Sequence, residues 1–364
     1  MAVYSGEQLL PLIQPHGRTW FDQQSQGIWF NWTCSGFTVT FTGKTLRAKI
    51  LAFGDVIPIP GGEPTVDYPC IGLVGEDGET LTKRLKCMGG PSWYDLFSGE
   101  ESTHTVRIVK LSENARGKAA LLALEIDGEL VQVQAPKGQL SIEFVGDSIT
   151  CGFGNEAPGR DSLFKTHEEN GWDTYGAVAG RELNAEFNMV SVSGIAASTP
   201  KTSPILMRQM DQVYEFTDVY CFERLEKPLE TWDFAHHPKD IVVINLGTND
   251  ASPIRSYTDL ATADQEERSF SQGYRELVEK VRELNGLDTW ILCVLGPMDH
   301  YLYDAIEKTV ETYRQESGDP KIRCFKLIGI NLMTEGIGAA SHPSSKTHLR
   351  VGKELAARIR SILH

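Results

Sequence analysis

The run Ile142-Glu143-Phe144-Val145-Gly146-Asp147-Ser148-Ile149-Thr150 joins a short apolar segment to a G-D-S tripeptide without a break. Ile142 to Val145 reads as a buried strand, and the chain turns directly after it. Ser148 then sits at the carboxyl end of the first strand of an α/β unit, on the edge where open parallel sheets bind ligands. A serine there can also do no more than cap the following helix. The G-x-S-x-G elbow is absent, because Thr150 stands where the second glycine belongs.

Downstream the same rhythm repeats. Ile241-Val242-Val243-Ile244-Asn245-Leu246 and Trp290-Ile291-Leu292-Cys293-Val294-Leu295 are near-continuous apolar runs, and a further strand is read near Asn188–Val192. Such runs suit a parallel sheet covered on both faces. Between and after them lie amphipathic helices, one with Phe270, Tyr274, Leu277, Val278, Val281 and Leu284 on one stripe, the last with Leu355, Ile359 and Ile362. Alternating strand and helix predicts a doubly wound α/β domain.

Upstream the period is two. Apolar and polar residues alternate through Phe37–Phe41 and again through Val106–Leu111, and Asp77-Gly78 and Asp127-Gly128 read as hairpin turns. Many short strands without a helical stripe predict a β-sandwich, here a jelly roll. The polar joint Ala135-Pro136-Lys137-Gly138 divides the two patterns, giving a sandwich over residues 1–137 and an α/β domain over residues 138–364.

Composition narrows the function. Over 364 residues the formal net charge is -14, which argues against a nucleic-acid partner, since phosphate binding needs clustered Lys and Arg. No apolar run reaches the roughly 18 residues of a membrane span. Met1 to Leu12 lacks a secretory leader pattern. The seven cysteines are scattered and odd in number, without C-x-x-C. These features predict a cytoplasmic chain, or a secreted one if a leader has been trimmed. A homo-oligomer is compatible with all of this. No cluster of His, Cys and carboxylates has metal-ligand spacing, so neither a metal nor another cofactor is expected.

Other strand ends carry polar blocks as well. Ser191-Val192-Ser193-Gly194 follows one strand, Gly247-Thr248-Asn249-Asp250 follows another, and His342-Pro343 precedes the last helix. In this order the blocks resemble the SGNH (GDSL) hydrolase superfamily, with Ser148, Gly194, Asn249 and His342 matching position by position. The longer runs Glu143–Gly154 and Val243–Asp250, together with His342-Pro343-Ser344 and Thr347-His348, resemble carbohydrate esterase family two, the acetyl-xylan esterases. The resemblance implies a β-sandwich followed by a hydrolase domain with a five-stranded parallel sheet. It also implies Ser148 as nucleophile, His342 as base, and an oxyanion hole from the N–H groups of Ser148 and Gly194 and the side-chain amide of Asn249. The substrate implied is an acetylated oligosaccharide or polysaccharide of plant type. The chemistry fits, because serine needs a base to become nucleophilic and the tetrahedral oxyanion needs fixed donors.

The sequence departs from the superfamily pattern in one place. Ala339 and Ala340 occupy positions where many SGNH enzymes carry an Asp that orients the histidine. A Ser148–His342 dyad, its ring held by a backbone carbonyl, is therefore expected rather than a triad. His348 is the rival base, read as facing solvent or capping the last helix. In the long insertion Ser198–Lys239, Trp232 is a candidate to stack on a sugar, while His236 and His237 read as structural. Trp29, Phe30 and Trp32 read as core packing. The competing functions are a lipid or small-ester esterase of the GDSL type, and a carbohydrate-binding protein with an inactive hydrolase domain.

Overall fold

The computed structural model describes residues 1–57, 63–133, 138–198 and 208–363. Its first half holds β1 (Ala2–Ser5), β2 (Ile13–His16), β3 (Thr19–Asp22), β4 (Gly27–Phe30), β5 (Gly36–Phe53), β6 (Asp55–Ile57), β7 (Thr65–Asp67), β8 (Cys70–Val74), β9 (Leu81–Lys86), β10 (Gly90–Lys110), β11 (Lys118–Ile126) and β12 (Glu129–Val131). Ten of these form one antiparallel sheet in the order β3-β4-β11-β5-β10-β8-β9, with β1 on β11 and both β2 and β12 on β5; β6 and β7 pair separately.

The strands were expected to be short, yet β5 and β10 run to 18 and 21 residues. Both are irregular midway. In β5 the core-facing residues are Phe37, Val39 and Phe41, then Leu46, Ala48, Ile50 and Ala52. This change of parity lies opposite the register shift between Ser98 and Ser102 of β10, and a one-residue slip moves side chains to the other face. The alternating stretches legible in the sequence are the regular parts of these two strands.

One turn assignment is corrected. Asp77-Gly78 does connect paired neighbours, β8 and β9, but Asp127-Gly128 makes no hairpin. β11 and β12 both pair with β5, one after the other along its edge. Asp127 sits at the break, its carboxylate accepting the N–H groups of Lys44 and Thr45 at 2.8 and 3.0 Å.

The second half begins at β13 (Ser141–Gly146) and continues through α1 (Ser148–Cys151), α2 (Tyr175–Glu182), β14 (Glu186–Ser191), α3 (Val219–Arg224), β15 (Ile241–Asn245), α4 (Thr248–Ser256), α5 (Leu260–Asn285), β16 (Trp290–Leu295), α6 (Tyr303–Ser317), β17 (Ile322–Lys326) and α7 (Ser345–Leu363). The five strands are parallel, in the order β14-β13-β15-β16-β17. Alternate strand residues serve opposite faces, as the pleat requires. Val242 and Ile244 pack with Phe270, Tyr274, Leu277 and Val281 of α5 and with α6, whereas Ile241 and Val243 pack with α2 and with Val351, Leu355 and Ile359 of α7. Both predicted helical stripes are thus buried against the sheet. The expected joint at residues 135–138 lies largely outside the described residues: the first sheet ends at Val131 and the second starts at Ser141.

The two sheets are locked by buried polar contacts. Arg18 is completely buried and reaches Glu143 of β13, and Asp218 accepts the amides of Asn31 and Asn114 at 2.7 and 2.8 Å. Trp32, also completely buried, packs within the α5 side of the second core and donates to the Thr217 carbonyl at 2.8 Å.

Candidate active site

β13 delivers the chain to the carboxyl edge of the sheet, where Asp147, still extended, caps α1 by accepting the Ile149 N–H at 2.9 Å. Ser148 is the first residue of that short helix, so its N–H is among those a helix leaves without an internal acceptor. The side chain is nearly buried, with 7 % exposed.

His342 approaches from the loop before α7. Its Nε2 lies 2.8 Å from Ser148 Oγ, and its Nδ1 lies 3.1 Å from the Ala339 carbonyl oxygen. The carbonyl can only accept, so Nδ1 carries the proton and Nε2 presents its lone pair to the serine hydroxyl. A backbone oxygen thus stands where an Asp was missing from the sequence. The loop is strained to do this, since Ala340 and Ser341 both have left-handed φ, 46° and 67°. It is anchored on the turn after α1. Ala339 N–H donates to Gly154 O at 3.0 Å, and a side chain at Gly154 would meet Ala339 Cβ at 2.4 Å, so the glycine permits the approach. Burial holds the His342 pKa below its ordinary value, opposed by the bonds to the Ala339 and Ala340 backbone. The Phe153 ring lies 4.5 Å from the imidazole and is itself stacked by Phe164 at 4.1 Å.

Gly194 lies in the turn after β14. Ile195 N–H returns to Val192 O at 3.2 Å, and Gly194 occupies the third position with φ 82°, the value a type II turn demands there and glycine supplies without strain. Val192 N–H donates to Gly146 O at 3.3 Å, which sets this turn beside the Gly146-Asp147-Ser148 backbone.

Asn249 opens α4 at the end of β15. Its amide donates to Ile195 O at 2.9 Å and to Asp147 Oδ2 at 3.2 Å, so both protons have partners. Asp250 beside it accepts Ala197 and Ser198 N–H at 3.0 and 2.8 Å. Both aspartates were passed over at the sequence level. Burial pushes Asp147 up to about 7, opposed by the Ile149 N–H and reinforced by the charge of Asp250. Burial pushes Asp250 up to about 6 against its two amide bonds. Their position directly beside Ser148 and Asn249 in two strand-end blocks was the available signal.

Two expectations are corrected. His348 neither faces solvent nor caps its own helix. It is 1 % exposed, accepts the Tyr175 N–H at the start of α2 on Nδ1 at 3.1 Å, and is pushed down to about 3 by burial. Trp232 is at the wrong end of the sheet for a substrate at Ser148. It lies over the guanidinium of Arg18, which bonds Glu143 near the start of β13, and stacks on His237 at 4.5 Å. The chain after residue 208 returns to the amino edge before β15, whereas Ser148 opens α1 beyond the end of β13 at Gly146, three residues and roughly 10 Å of strand past Glu143. Trp232 is spent on packing. His236 pairs with Asp233 at the exposed surface, and Trp29, Phe30 and Trp32 are buried.

Residues 144–349 match the model of the GDSL-like Lipase/Acylhydrolase family. The cellulase/esterase CelE of Acetivibrio thermocellus is 30% identical over 308 residues, covering 76% of this chain and 35% of that protein. An acetylxylan esterase / glucomannan deacetylase of Cellvibrio japonicus is 27% identical over 238 residues, covering 61% of this chain and 56% of that one. The chain therefore spans about a third and about half of the lengths of these two relatives. Among solved structures, a family two carbohydrate esterase from Clostridium thermocellum in complex with cellohexaose superimposes with a TM-score of 0.81 at 27% identity, covering 96% of this chain and 99% of that chain.

Proposed function

Because the chain belongs to the GDSL-like lipase/acylhydrolase family, we propose that it is a serine esterase that removes acetyl groups from plant-type carbohydrate such as acetyl-xylan or its oligosaccharides. On this reading residues 1–137 form a jelly-roll sandwich and residues 138–364 the catalytic domain. The observation that carries the proposal is the 2.8 Å contact between Ser148 Oγ and His342 Nε2 at the carboxyl edge of the sheet. Relatives named acetylxylan esterase and carbohydrate esterase, one of them bound to cellohexaose, support a carbohydrate substrate.

The chemistry runs as follows. His342 Nε2 takes the Ser148 proton while Oγ attacks the acetyl carbonyl, and the oxyanion is met by the N–H groups of Ser148 and Gly194 and by the Asn249 amide. Asn249 exchanges its longer bond, to Asp147, for the oxyanion. The imidazolium is held through Nδ1–H by the Ala339 carbonyl. It then protonates the departing sugar oxygen, leaving acetyl-Ser148. Water, deprotonated by the same histidine, attacks the acetyl carbon, and the histidine returns that proton to Ser148 Oγ as acetate leaves.

The test is turnover of p-nitrophenyl acetate and acetate release from acetylated xylo-oligosaccharides, with Ser148→Ala alongside. The variant should fold and lose several orders of magnitude in rate. Absence of turnover in the parent chain would leave a binding protein. kcat/KM should also fall at least roughly tenfold from acetyl to butyryl esters, because a pocket walled for a methyl group excludes longer chains at about 1–3 kcal/mol per methylene. A rate rising with acyl length would favour a lipid esterase.

A further inference from the structure

Glu113 belongs to the loop after β10, in the N-terminal half, yet its carboxylate ends beside the hydrolase site. It is completely buried. Its Oε2 accepts the Ser193 N–H at 2.6 Å and lies 3.6 Å from Cys151 Sγ, one helical turn beyond Ser148. Its Oε1 pairs with Arg116 Nε at 3.4 Å. The backbone of Glu113 is fixed as well: its N–H donates to Glu169 Oε2 at 2.9 Å, and its carbonyl accepts Lys110 Nζ at 2.6 Å. Burying this many ionisable groups costs several kcal/mol before pairing, and an apolar contact would join two sheets more cheaply.

Among the described residues the backbone N–H that this carboxylate accepts lies in the turn Val192-Ser193-Gly194-Ile195; its charge also acts on His342, where it raises the pKa against burial. Three of that turn's N–H groups donate to Gly146 O, Glu113 Oε2 and Val192 O. The remaining N–H, on Gly194, is the donor that the esterase reading assigns to the oxyanion. Asn249 holds the far end of the turn through the Ile195 carbonyl. Glu113 therefore grips the peptide immediately before Gly194, from outside the α/β half.

We infer that Glu113 is a positioning residue for the reaction, a strut from the N-terminal sheet that aims the Gly194 N–H at the oxyanion. This deepens the esterase reading and rests on it. The N-terminal sheet then completes the hydrolase site rather than riding beside it.

The experiment uses the whole chain and steady-state hydrolysis of p-nitrophenyl acetate. Glu113→Met removes the acceptor, Glu113→Gln keeps one, and Ser193→Pro removes the donor at the second position of a type II turn, which accepts proline. Glu113→Met and Ser193→Pro should each lower kcat roughly 10–100-fold, short of the roughly 10²–10³ lost with an entire oxyanion donor. KM should stay within about twofold. Glu113→Gln should recover most of the rate, and the Met/Pro double variant should be no slower than its slower parent, because both changes cut the same Ser193–Glu113 bond. Thermal unfolding identifies folded variants; should Glu113→Met fail to fold, Ser193→Pro decides.

Wild-type kcat in folded Glu113→Met or Ser193→Pro would overturn the role, as would a change confined to KM or losses that add in the double variant. Ser148→Ala run in parallel separates the two claims. A parent chain no faster than Ser148→Ala removes the esterase reading and this role with it. An active parent beside unimpaired Glu113 and Ser193 variants removes only the strut.

Discussion

At the residue scale, the proposed reaction makes the imidazole of His342 the group that sets the pH behaviour. It works as a base only when neutral, and burial favours the neutral form by lowering its pKa from the usual 6.5. The acid limb of kcat/KM should therefore have its midpoint below 6.5, with activity falling about tenfold per pH unit beneath it. A midpoint at or above 6.5 in the free enzyme would show a base in a different environment. His342→Ala should cost about as much as Ser148→Ala, and the double variant little more, since in the proposed mechanism the pair acts as a unit. Asn249→Ala should lower kcat roughly 10²–10³-fold. The Asn249 amide also holds Ile195 O, so part of that loss belongs to the turn that carries Gly194. A change in KM alone would make Asn249 a ground-state contact.

At the scale of elements, α2 and α7 are joined by a histidine that takes no part in the proposed reaction. His348 of α7 accepts the first N–H of α2 and stays neutral, with its pKa pushed down to about 3. Unfolded, it would titrate near 6.5, so between about 6.5 and 3 the unfolded chain binds the extra proton. Its contribution to stability is whole above 6.5 and is lost as pH falls through that window, by about 1.4 kcal/mol per unit at most. His348→Asn keeps an acceptor but does not titrate. Urea unfolding at pH 7 and pH 5 should show the parent losing more stability than this variant; equal losses would mean that His348 is protonated in the fold.

The burial of His348 could have been read from the sequence, because His348, Val351, Leu355 and Ile359 share one helical stripe. The motif Thr347-His348 distracted from that spacing. Local patterns were legible throughout: Ser148, Gly194, Asn249 and His342 each sit in a short block beside an apolar strand or a helix start. What needed three dimensions was not legible. β17, Ile322-Arg323-Cys324-Phe325-Lys326, is an edge strand with polar residues and gives no apolar run. The lengths of β5 and β10 were hidden because their alternation changes phase midway. Trp232 was misplaced because nothing local tells which edge of a sheet a crossover has reached.

At the scale of the whole molecule, the two halves are joined by buried charged groups that find partners across the interface. Arg18, between β2 and β3, enters the second half and meets Glu143 through both carboxylate oxygens at 3.3 and 3.2 Å. It also donates to the carbonyls of Tyr214 and Phe216 at 2.5 and 2.7 Å, with the rings of Tyr214, Phe234 and Trp232 around its guanidinium. Removing one partner of such a pair leaves an uncompensated buried charge, at a cost of about 3–5 kcal/mol, whereas replacing both by apolar side chains is often neutral. Arg18→Met should therefore lower Tm by several degrees, and Arg18→Met with Glu143→Met should regain much of the loss. The candidate site lies past the carboxyl end of β13, beyond three strand residues or roughly 10 Å from this pair, so kcat of folded Arg18→Met should match the parent. Unfolding should remain a single transition by tryptophan fluorescence and by far-ultraviolet circular dichroism, since Trp32 reports from the second core while lying between β4 and β5 of the first half. Two separated transitions, with the second half still active after the first has melted, would mean that the halves are stable alone and that the interface charges serve neither.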